Sequence, residues 1–524
     1  KIVVMVQGHP GLRLRLTRKG AEHVKNVGVK LLNEQLATLR GFSVSHPFSQ
    51  PGLQGTIHVN DIQTLAYQPP VASHISFVAP SYMVLALEGI GITLAGKFLG
   101  VSGPFQVAGR VNGQLTGLRI GLTTSFRTTP HDGLMAVNVV NCSTSLQQSH
   151  FNLDPEGPLS AVVKAFELTI NDLIRQRIPD LLCKGLQDII EKNSPRLFQR
   201  LTYAPLSEHF KSLNASSVIE QFIRKFTQGL YIDGRNIADP IVTADFFETQ
   251  QRGELRYEDS ADASPPFHPR PMGPEWENSE RMLYLYGSDY TLNSLLYHAY
   301  QLDKLTIKIE HGTLPELYRG FVRTTCGSMA ETNGDFLASI CVGKLIPSIA
   351  EKFPNTTTKF ILLPHDLPEM KFIDGVSSMD LRTRILTYVV DPITRHDKQI
   401  LVSSADGIAD IMLKAEDGKF SGDLKLRKLM VRLHRSAIGG IDPESIAQLA
   451  PLAKTFLGPS LSAGLKQGLP YPLKDTITFI QPKLSLHDGY VRLATDFELG
   501  ENSLRIKMQE AFERIKQNNA AGKK

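Results

Sequence analysis

Four cysteines carry the most specific chemistry in this chain, and they fall two to each half: Cys142 and Cys183, then Cys326 and Cys341. None has the Cys-x-x-Cys spacing of a zinc or redox site. One structural disulfide per half is the simplest account, and it implies an oxidising compartment. A Cys142–Cys183 bridge would tie a long helix to the last strand of a sheet. Its loop length predicts roughly 4 kcal/mol of stabilisation. Cys326 and Cys341 lie where a short loop could close, and their pairing is left open. Asn141-Cys142-Ser143, Asn214-Ala215-Ser216 and Asn355-Thr356-Thr357 place glycosylation acceptors at Asn141, Asn214 and Asn355. Such triplets are common by chance. Their agreement with the cysteine usage makes a secreted, extracellular chain the expectation.

Catalytic chemistry finds little support. There is no His-Glu-x-x-His, no Gly-x-Ser-x-Gly and no phosphate-cradling loop. The 15 histidines show no ligand-like spacing, and His23, His46 and His150 read as surface or turn residues. Asp406 and Asp410 are four apart, in a segment that reads as strand and loop rather than helix. Gly89-Ile90-Gly91 lacks the third glycine and the following helix of a dinucleotide loop, so it reads as turn and strand. The sequence therefore implies a binding protein, not an enzyme, with no cofactor and no metal; a hydrolase on an unfamiliar site is the remote alternative.

The chain is long enough for two domains with separate cores: 524 residues, 42% hydrophobic and 21% charged. A net charge of +5 is too small at this length to imply nucleic acid as a partner. No apolar run reaches the roughly 18 residues of a membrane span. The opening Lys1-Ile2-Val3-Val4-Met5-Val6 is too short for a signal-peptide core and is expected to be the mature end of a processed chain.

A strand–helix unit occurs twice. Leu12-Arg13-Leu14-Arg15-Leu16 alternates like a strand and leads into a helix with Ala21, Val24, Leu31 and Leu32. Met282-Leu283-Tyr284-Leu285-Tyr286 restarts the pattern before Leu292, Leu295, Leu296 and Ala299. Residues 41–151 read as strands separated by turns, with glycines such as Gly89 and Gly91 suited to bulges in a curved antiparallel sheet. Pro158 opens a long helix with Ile170 and Ile174, kinked at Pro179. Its counterpart runs from Pro443 through Ile446, Leu449 and Ala453 to an interruption at Pro459. Five prolines in residues 264–274 read as a stiff extended linker. The expected organisation is 1–257, a linker over 258–280, 281–502, and a basic helical tail over 503–524.

At these residues the chain resembles the bactericidal/permeability-increasing protein, lipopolysaccharide-binding protein and lipid transfer protein family. Gly11 through Gly28 resembles the family's opening strand and helix, and Arg281 through Tyr290 the opening of its C-terminal domain. Lys352-Phe353-Pro354-Asn355 and Lys466 through Pro472 resemble later family segments, and Cys142 with Cys183 matches the family's N-domain disulfide. The resemblance implies an α+β fold: two tandem barrels of twisted antiparallel sheet wrapped around long helices, joined by a central sheet into a boomerang. It also implies an apolar pocket for acyl chains in each barrel.

The expected N pocket draws on Val24, Val27, Leu31, Ile170 and Ile174; the C pocket draws on Leu292, Leu295, Leu296, Ile446, Leu449 and Ala453. Burying acyl chains is worth about 0.8 kcal/mol per methylene, so a chain of about 16 carbons gains on the order of 12 kcal/mol gross. The expected function is a secreted protein that binds phospholipid or other acyl lipid, as carrier or transfer agent, with lipoprotein or membrane surfaces as partners. The alternative is an innate-immune protein that recognises lipopolysaccharide or another microbial envelope lipid, with antibacterial activity. Family members of that kind cluster cations on N-domain hairpins. Here Gly41–Gln50 carries none, and Gly91–Gly100, read as the other hairpin, carries only Lys97. Residues 41–163 hold four cations (Lys97, Arg110, Arg119, Arg127) against five anions (Asp61, Glu88, Asp132, Asp154, Glu156). The tips instead offer Phe42, Phe48, Phe98, Leu99 and Phe105. Cations gather at Arg13, Arg15, Arg18, Lys19, Lys25 and Lys30, and in the tail, expected either to lie on an anionic membrane or to be a solvated terminal helix.

Overall fold

The computed structural model describes residues 8–157 apart from 51 and 52, then 167, 171, 175 and most of 183–206. It continues over 218–521 apart from 261–263, 274–279, 328–339, 374 and 472–475. The helices that bear on the architecture include α1 (Arg18–Ala37), α2 (Val218–Thr227), α3 (Asp289–Gln301), α4 (Pro443–Ala447), α5 (Leu449–Gln467) and α6 (Glu501–Ala521).

The repeated unit is present in both halves. β1 (Leu12–Thr17) runs into α1, and β14 (Leu283–Ser288) into α3. In each, the last strand residue caps the helix: Thr17 accepts from the Gly20 amide and Ser288 from the Tyr290 amide. Each cap satisfies an amide that has no partner within the helix. The two units meet directly, because β1 and β14 pair antiparallel with Leu12 opposite Gly287 and Leu16 opposite Leu283. A six-stranded central sheet results. Its order is β11 (Ile241–Val242), β12 (Phe246–Gln251), β1, β14, β23 (Tyr490–Leu499) and β22 (Ile477–His487). Gly20 permits the close approach of α1 to the second half, since a Cβ there would fall 2.4 Å from the Met282 carbonyl oxygen.

Each half adds a larger antiparallel sheet. The first joins β2 (Phe42–Gln50), β3 (Leu53–Gln68), β5 (Tyr82–Ser102), β6 (Phe105–Thr128) and β7 (Met135–Ser145), with β4 (Ala72–Val78) on β5 and β8 (Gln148–Glu156) on β6. The second joins β15 (Ile307–Ile309), β16 (Thr357–Pro364), β18 (Val376–Val390), β19 (Asp397–Glu416), β20 (Lys419–Ser436) and β21 (Leu469–Pro470), with β17 (Glu369–Ile373) on β18. A small sheet of β9 (Tyr203–Pro205), β10 (Leu230–Asp233) and β13 (Glu254–Tyr257) packs on α3. The fold is thus α+β. The expected barrels, however, are not closed: among the described residues each large sheet keeps its two edges. Helices cover edges that a closed barrel would pair. α6 lies against β2, with the Phe42 and Phe512 rings edge to face at 6.5 Å, and α5 lies along β20.

Several local expectations are corrected. The Gly91–Gly100 stretch is the interior of β5 rather than a hairpin, and the register shifts beside Gly89 and Gly91 are the bulges those glycines suggest. Phe98 is buried with Val111, Leu115, Phe151 and Leu153, whereas Phe105, at the β5–β6 turn, is 61% exposed. The proline-rich stretch, which forms no helix or strand, packs on the fold. Met272 is buried among Tyr284, Tyr286 and Tyr490, Arg270 pairs with Asp289 at 2.7 Å, and the Phe267 ring meets Tyr290 and Tyr297. Pro459 sits inside α5 without ending it. The tail is anchored along one side: Arg505 binds Glu34 at 2.8 Å, Lys30 binds Glu501 at 2.7 Å, and Ala511 is buried. Arg13 and Arg15 are not surface cations, because β1 is internal to the central sheet and its arginine face is covered. His23 is no surface residue either, since its ring meets Phe497 edge to face at 5.5 Å. The helix expected from Pro158 lies largely outside the described residues, as do residues 1–6.

Candidate functional site

An apolar cavity of about 180 Å³ opens in the second half, between the inner face of its sheet and the helices laid over it. Alternate residues of a strand face one side, so pairs two apart line it: Phe360 and Leu362 from β16, Ile385 and Thr387 from β18, Leu401 and Ser403 from β19. Ile309 and Val431 extend this wall. The opposite wall comes from Ile446 on α4 with Leu449 and Ala453 on α5. Val218 and Ile219 on α2 contribute too, with Tyr318 and Phe321 from the 3-10 turn Glu316–Val322. Asp442 caps α4 by accepting from the Glu444 amide at 3.0 Å, and Pro443 follows at the first helical position, where its missing amide costs nothing. Gly464 lets α5 press on α2, because a Cβ there would fall 2.4 Å from Ile223 Cδ1.

The cavity's chemistry is narrow. Thr387, Ser403 and Tyr318 supply its side-chain hydroxyls, and among the described residues no charged side chain lines it. Such a space favours hydrocarbon. It rests on a dry core of Val322, Val342, Ile346, Ile349, Ile400 and Leu401. The Cys326–Cys341 disulfide ties down the chain just before the helical turn Val342–Leu345 that supports this core. A second hollow of about 180 Å³ at the β19–β20 turn is polar, with Lys414, Lys419 and Lys466 beside Glu416, Asp417 and Asp423. There Ser462 donates to Asp423 and, with the nearby Lys466 ammonium, holds that carboxyl below its usual range.

The residues expected to line the C pocket divide into two groups. Ile446, Leu449 and Ala453 line the cavity together. Leu292 and Leu295 instead pack with Leu230, Leu255 and Tyr257, and Leu296 with Met370, Phe372 and Ile411. They join α3 to its neighbouring sheets and lie away from the cavity. In the first half, Leu31 is buried, Val27 is half-buried and Val24 is 38% exposed. Ile170 and Ile174 lie outside the described residues. Cys142–Cys183 is formed, joining β7 to the helical stretch 183–188. Asn141 and Asn355 are exposed, Asn355 in a left-handed turn at φ 57°, and Asn214 lies outside the described residues. Asp406 and Asp410 are strand residues of β19, and Asp410 pairs with Arg427 at 3.2 Å.

Sequence reasoning missed the strand wall and α2. The apolar alternation of Phe360, Leu362, Ile385 and Leu401 was visible. A strand facing a cavity and one facing a filled core share the same alternation, so the sequence could not separate them.

Comparison with known proteins points to one family. The LBP / BPI / CETP family C-terminal domain matches residues 224–499. The chain is 20% identical over 503 residues to the bactericidal permeability-increasing protein of Sebastes schlegelii, covering 94% of this chain and 95% of that protein. It is 22% identical to the lipopolysaccharide-binding protein of Bos taurus, with 93% of each covered. It is also 20% identical to the phospholipid transfer protein of Homo sapiens, covering 94% of this chain and 91% of that protein. A crystal structure of lipopolysaccharide binding protein aligns with 94% of this chain and 99% of its own at a TM-score of 0.49 and 19% identity. Because that family model spans more than half of its 524 residues, the chain belongs to the LBP / BPI / CETP family.

Proposed function

We propose that this chain is a secreted lipid-binding protein that holds acyl chains of phospholipid or a related lipid in the cavity of its second half, as a carrier or transfer protein. The observation that carries this reading is the lining: eighteen residues, none of them charged, around about 180 Å³. Hydrocarbon entering it leaves water at a gain of about 0.8 kcal/mol per methylene, while the headgroup stays near solvent. The two disulfides support an extracellular location. Among the described residues no helix is long and apolar enough to cross a membrane. A second acyl site in the first half would use Val27 and Leu31, with Ile170 and Ile174. Lipoprotein or membrane surfaces are the partners this function requires. Denaturing extraction of purified protein, followed by mass spectrometry, is expected to release lipid in stoichiometric amount; lipid-free protein after exposure to phospholipid vesicles rejects the proposal.

Recognition of a microbial envelope lipid is the second reading, favoured by the names of the relatives. Charge disfavours it, since residues 41–163 carry four cations against five anions and Lys97 sits 3.8 Å from Asp61. Tight, strongly salt-dependent binding of lipopolysaccharide would reverse the ranking.

A further inference from the structure

β20 carries six cations, Lys419, Lys425, Arg427, Lys428, Arg432 and Arg435, against one anion, Asp423. Its inner face packs on the cavity wall through Val431, and Lys428, Arg432 and, beyond the register shift at Val402/Ser403, Arg435 are exposed on the other face. Across the sheet, Ser404 lies opposite both Arg384 and Arg432, and Val402 lies opposite Arg435. With strands about 4.8 Å apart, the Arg384 and Arg432 backbones are about 10 Å apart with only a serine between them. From Lys425 to Arg435 the stripe runs about 33 Å at about 3.3 Å per residue. Among the described residues no hydrogen bond or ion pair engages the side chains of Arg384, Lys425, Lys428, Arg432 or Arg435. Arg427 and Arg382 are paired, with Asp410 and Asp366. The remaining carboxylates of this face are Asp406, in the row of Arg382 and Met430, and Asp380, in the row of Lys428, whereas the rows of Arg384 with Arg432 and of Leu386 with Arg435 hold none.

We propose that this outer face is a docking surface for an anionic phospholipid bilayer. The array is too long and too open to cradle one small anion, and it is broad enough to meet a plane of headgroups. Half-buried aliphatic side chains, Leu386, Val402 and Met430, lie between the cations, and Ile393 at the β18–β19 turn is 91% exposed. Cations interleaved with apolar groups suit a headgroup boundary better than a purely polar polyanion. The same strands that carry the stripe outward line the cavity inward, so docking would bring the cavity wall against the membrane. In the first half the large-sheet region, residues 41–163, carries four cations against five anions and offers no comparable stripe.

Each free cation near an anionic membrane is worth roughly fivefold in partitioning, and the three arginines together about a hundredfold. The test is co-sedimentation of the full chain with phosphatidylcholine vesicles containing one-third phosphatidylserine, against pure phosphatidylcholine, at low and physiological salt. Binding is expected only to the anionic vesicles, weakening with salt, about a hundredfold poorer for R384A/R432A/R435A and unchanged for the first-half control R110A/R127A. Equal binding to neutral vesicles, equal binding by the triple variant, or capture by heparin resin without vesicle binding would overturn the proposal. Uptake of a fluorescent fatty acid, followed in parallel, confirms that the triple variant is folded. It also scores the cavity separately, so loss of docking and loss of lipid binding are distinct results.

Discussion

Arg15 Nε donates to Glu248 Oε2 at 2.7 Å, and both side chains are 1% exposed. Arg13 reaches the other oxygen of the same carboxylate at 3.4 Å and also donates to the Met272 carbonyl. The Arg15 guanidinium lies 4.1 Å over the Phe246 ring and the Arg13 guanidinium 4.5 Å over Tyr286. One carboxylate therefore holds two buried cations where β12, β1 and β14 meet, with aromatic faces taking up the excess positive charge. Removing it strands both. Glu248→Ala is expected to cost about 3–5 kcal/mol in chemical denaturation. Replacing the cluster together, as R13M/R15M/E248L, is expected to recover most of that loss, since the cost comes from unpaired buried charge. A loss below about 0.5 kcal/mol for Glu248→Ala, typical of a surface substitution, would show that the cluster does not hold the sheet.

Ala453 separates lipid capacity from stability. Its methyl faces the cavity from α5, and an indole there would occupy the space that an acyl chain needs. Ala453→Trp is expected to abolish lipid recovery from the second half while shifting stability by no more than the roughly 1–3 kcal/mol of ordinary overpacking. A cooperatively folding variant that keeps its full lipid load would place the lipid elsewhere.

The sequence disclosed the fold where local signals were redundant. Alternation in residues 12–16 and its repeat at 282–286 pointed to the same unit, and that unit is present. It misled about Arg13 and Arg15, because alternation tells which residues share a face and not which face is covered; here the arginine face is the buried one. Ile446, Leu449 and Ala453 reach the cavity because helix periodicity aligns them. Leu292, Leu295 and Leu296 have the same periodicity, yet α3 spends it on two filled cores. Which apolar surface stays unfilled depends on how distant elements meet, as with α2 on α5. The docking of α6 likewise rests on long-range pairs, Arg505 with Glu34 and Phe512 with Phe42, that no local pattern encodes.

The Cys326–Cys341 bridge closes a loop of sequence separation 15 directly before the helical turn that carries the cavity's supporting core. Chain entropy assigns a loop of this size about 3 kcal/mol. C326S/C341S is expected to lose about that much in denaturant unfolding, and its fatty-acid uptake should fall more than that of C142S/C183S, whose bridge lies in the other half. Equal effects of the two pairs on uptake would separate the bridge from the cavity.

Asp496 on β23 links the halves through a different chemistry. Its carboxylate accepts from Lys19 at 3.1 Å, from Arg281 at 2.9 Å and from the Met282 amide at 3.0 Å. Partial burial alone would raise its pKa, but the hydrogen bonds from Lys19, Arg281 and the Met282 amide outweigh burial and hold it below the ordinary value. A depressed folded pKa means that the unfolded chain binds the proton more readily. The resulting stabilisation is fully present above the unfolded value of about 3.9 and is lost as pH falls through the lower folded value. Asp496→Asn is therefore expected to lower the melting temperature at pH 7 and to flatten the decline of stability below about pH 4. Parallel acid limbs for the variant and the parent would mean that protonation of Asp496 does not uncouple α1 from β23, and that the two halves are held at this point by the sheet alone.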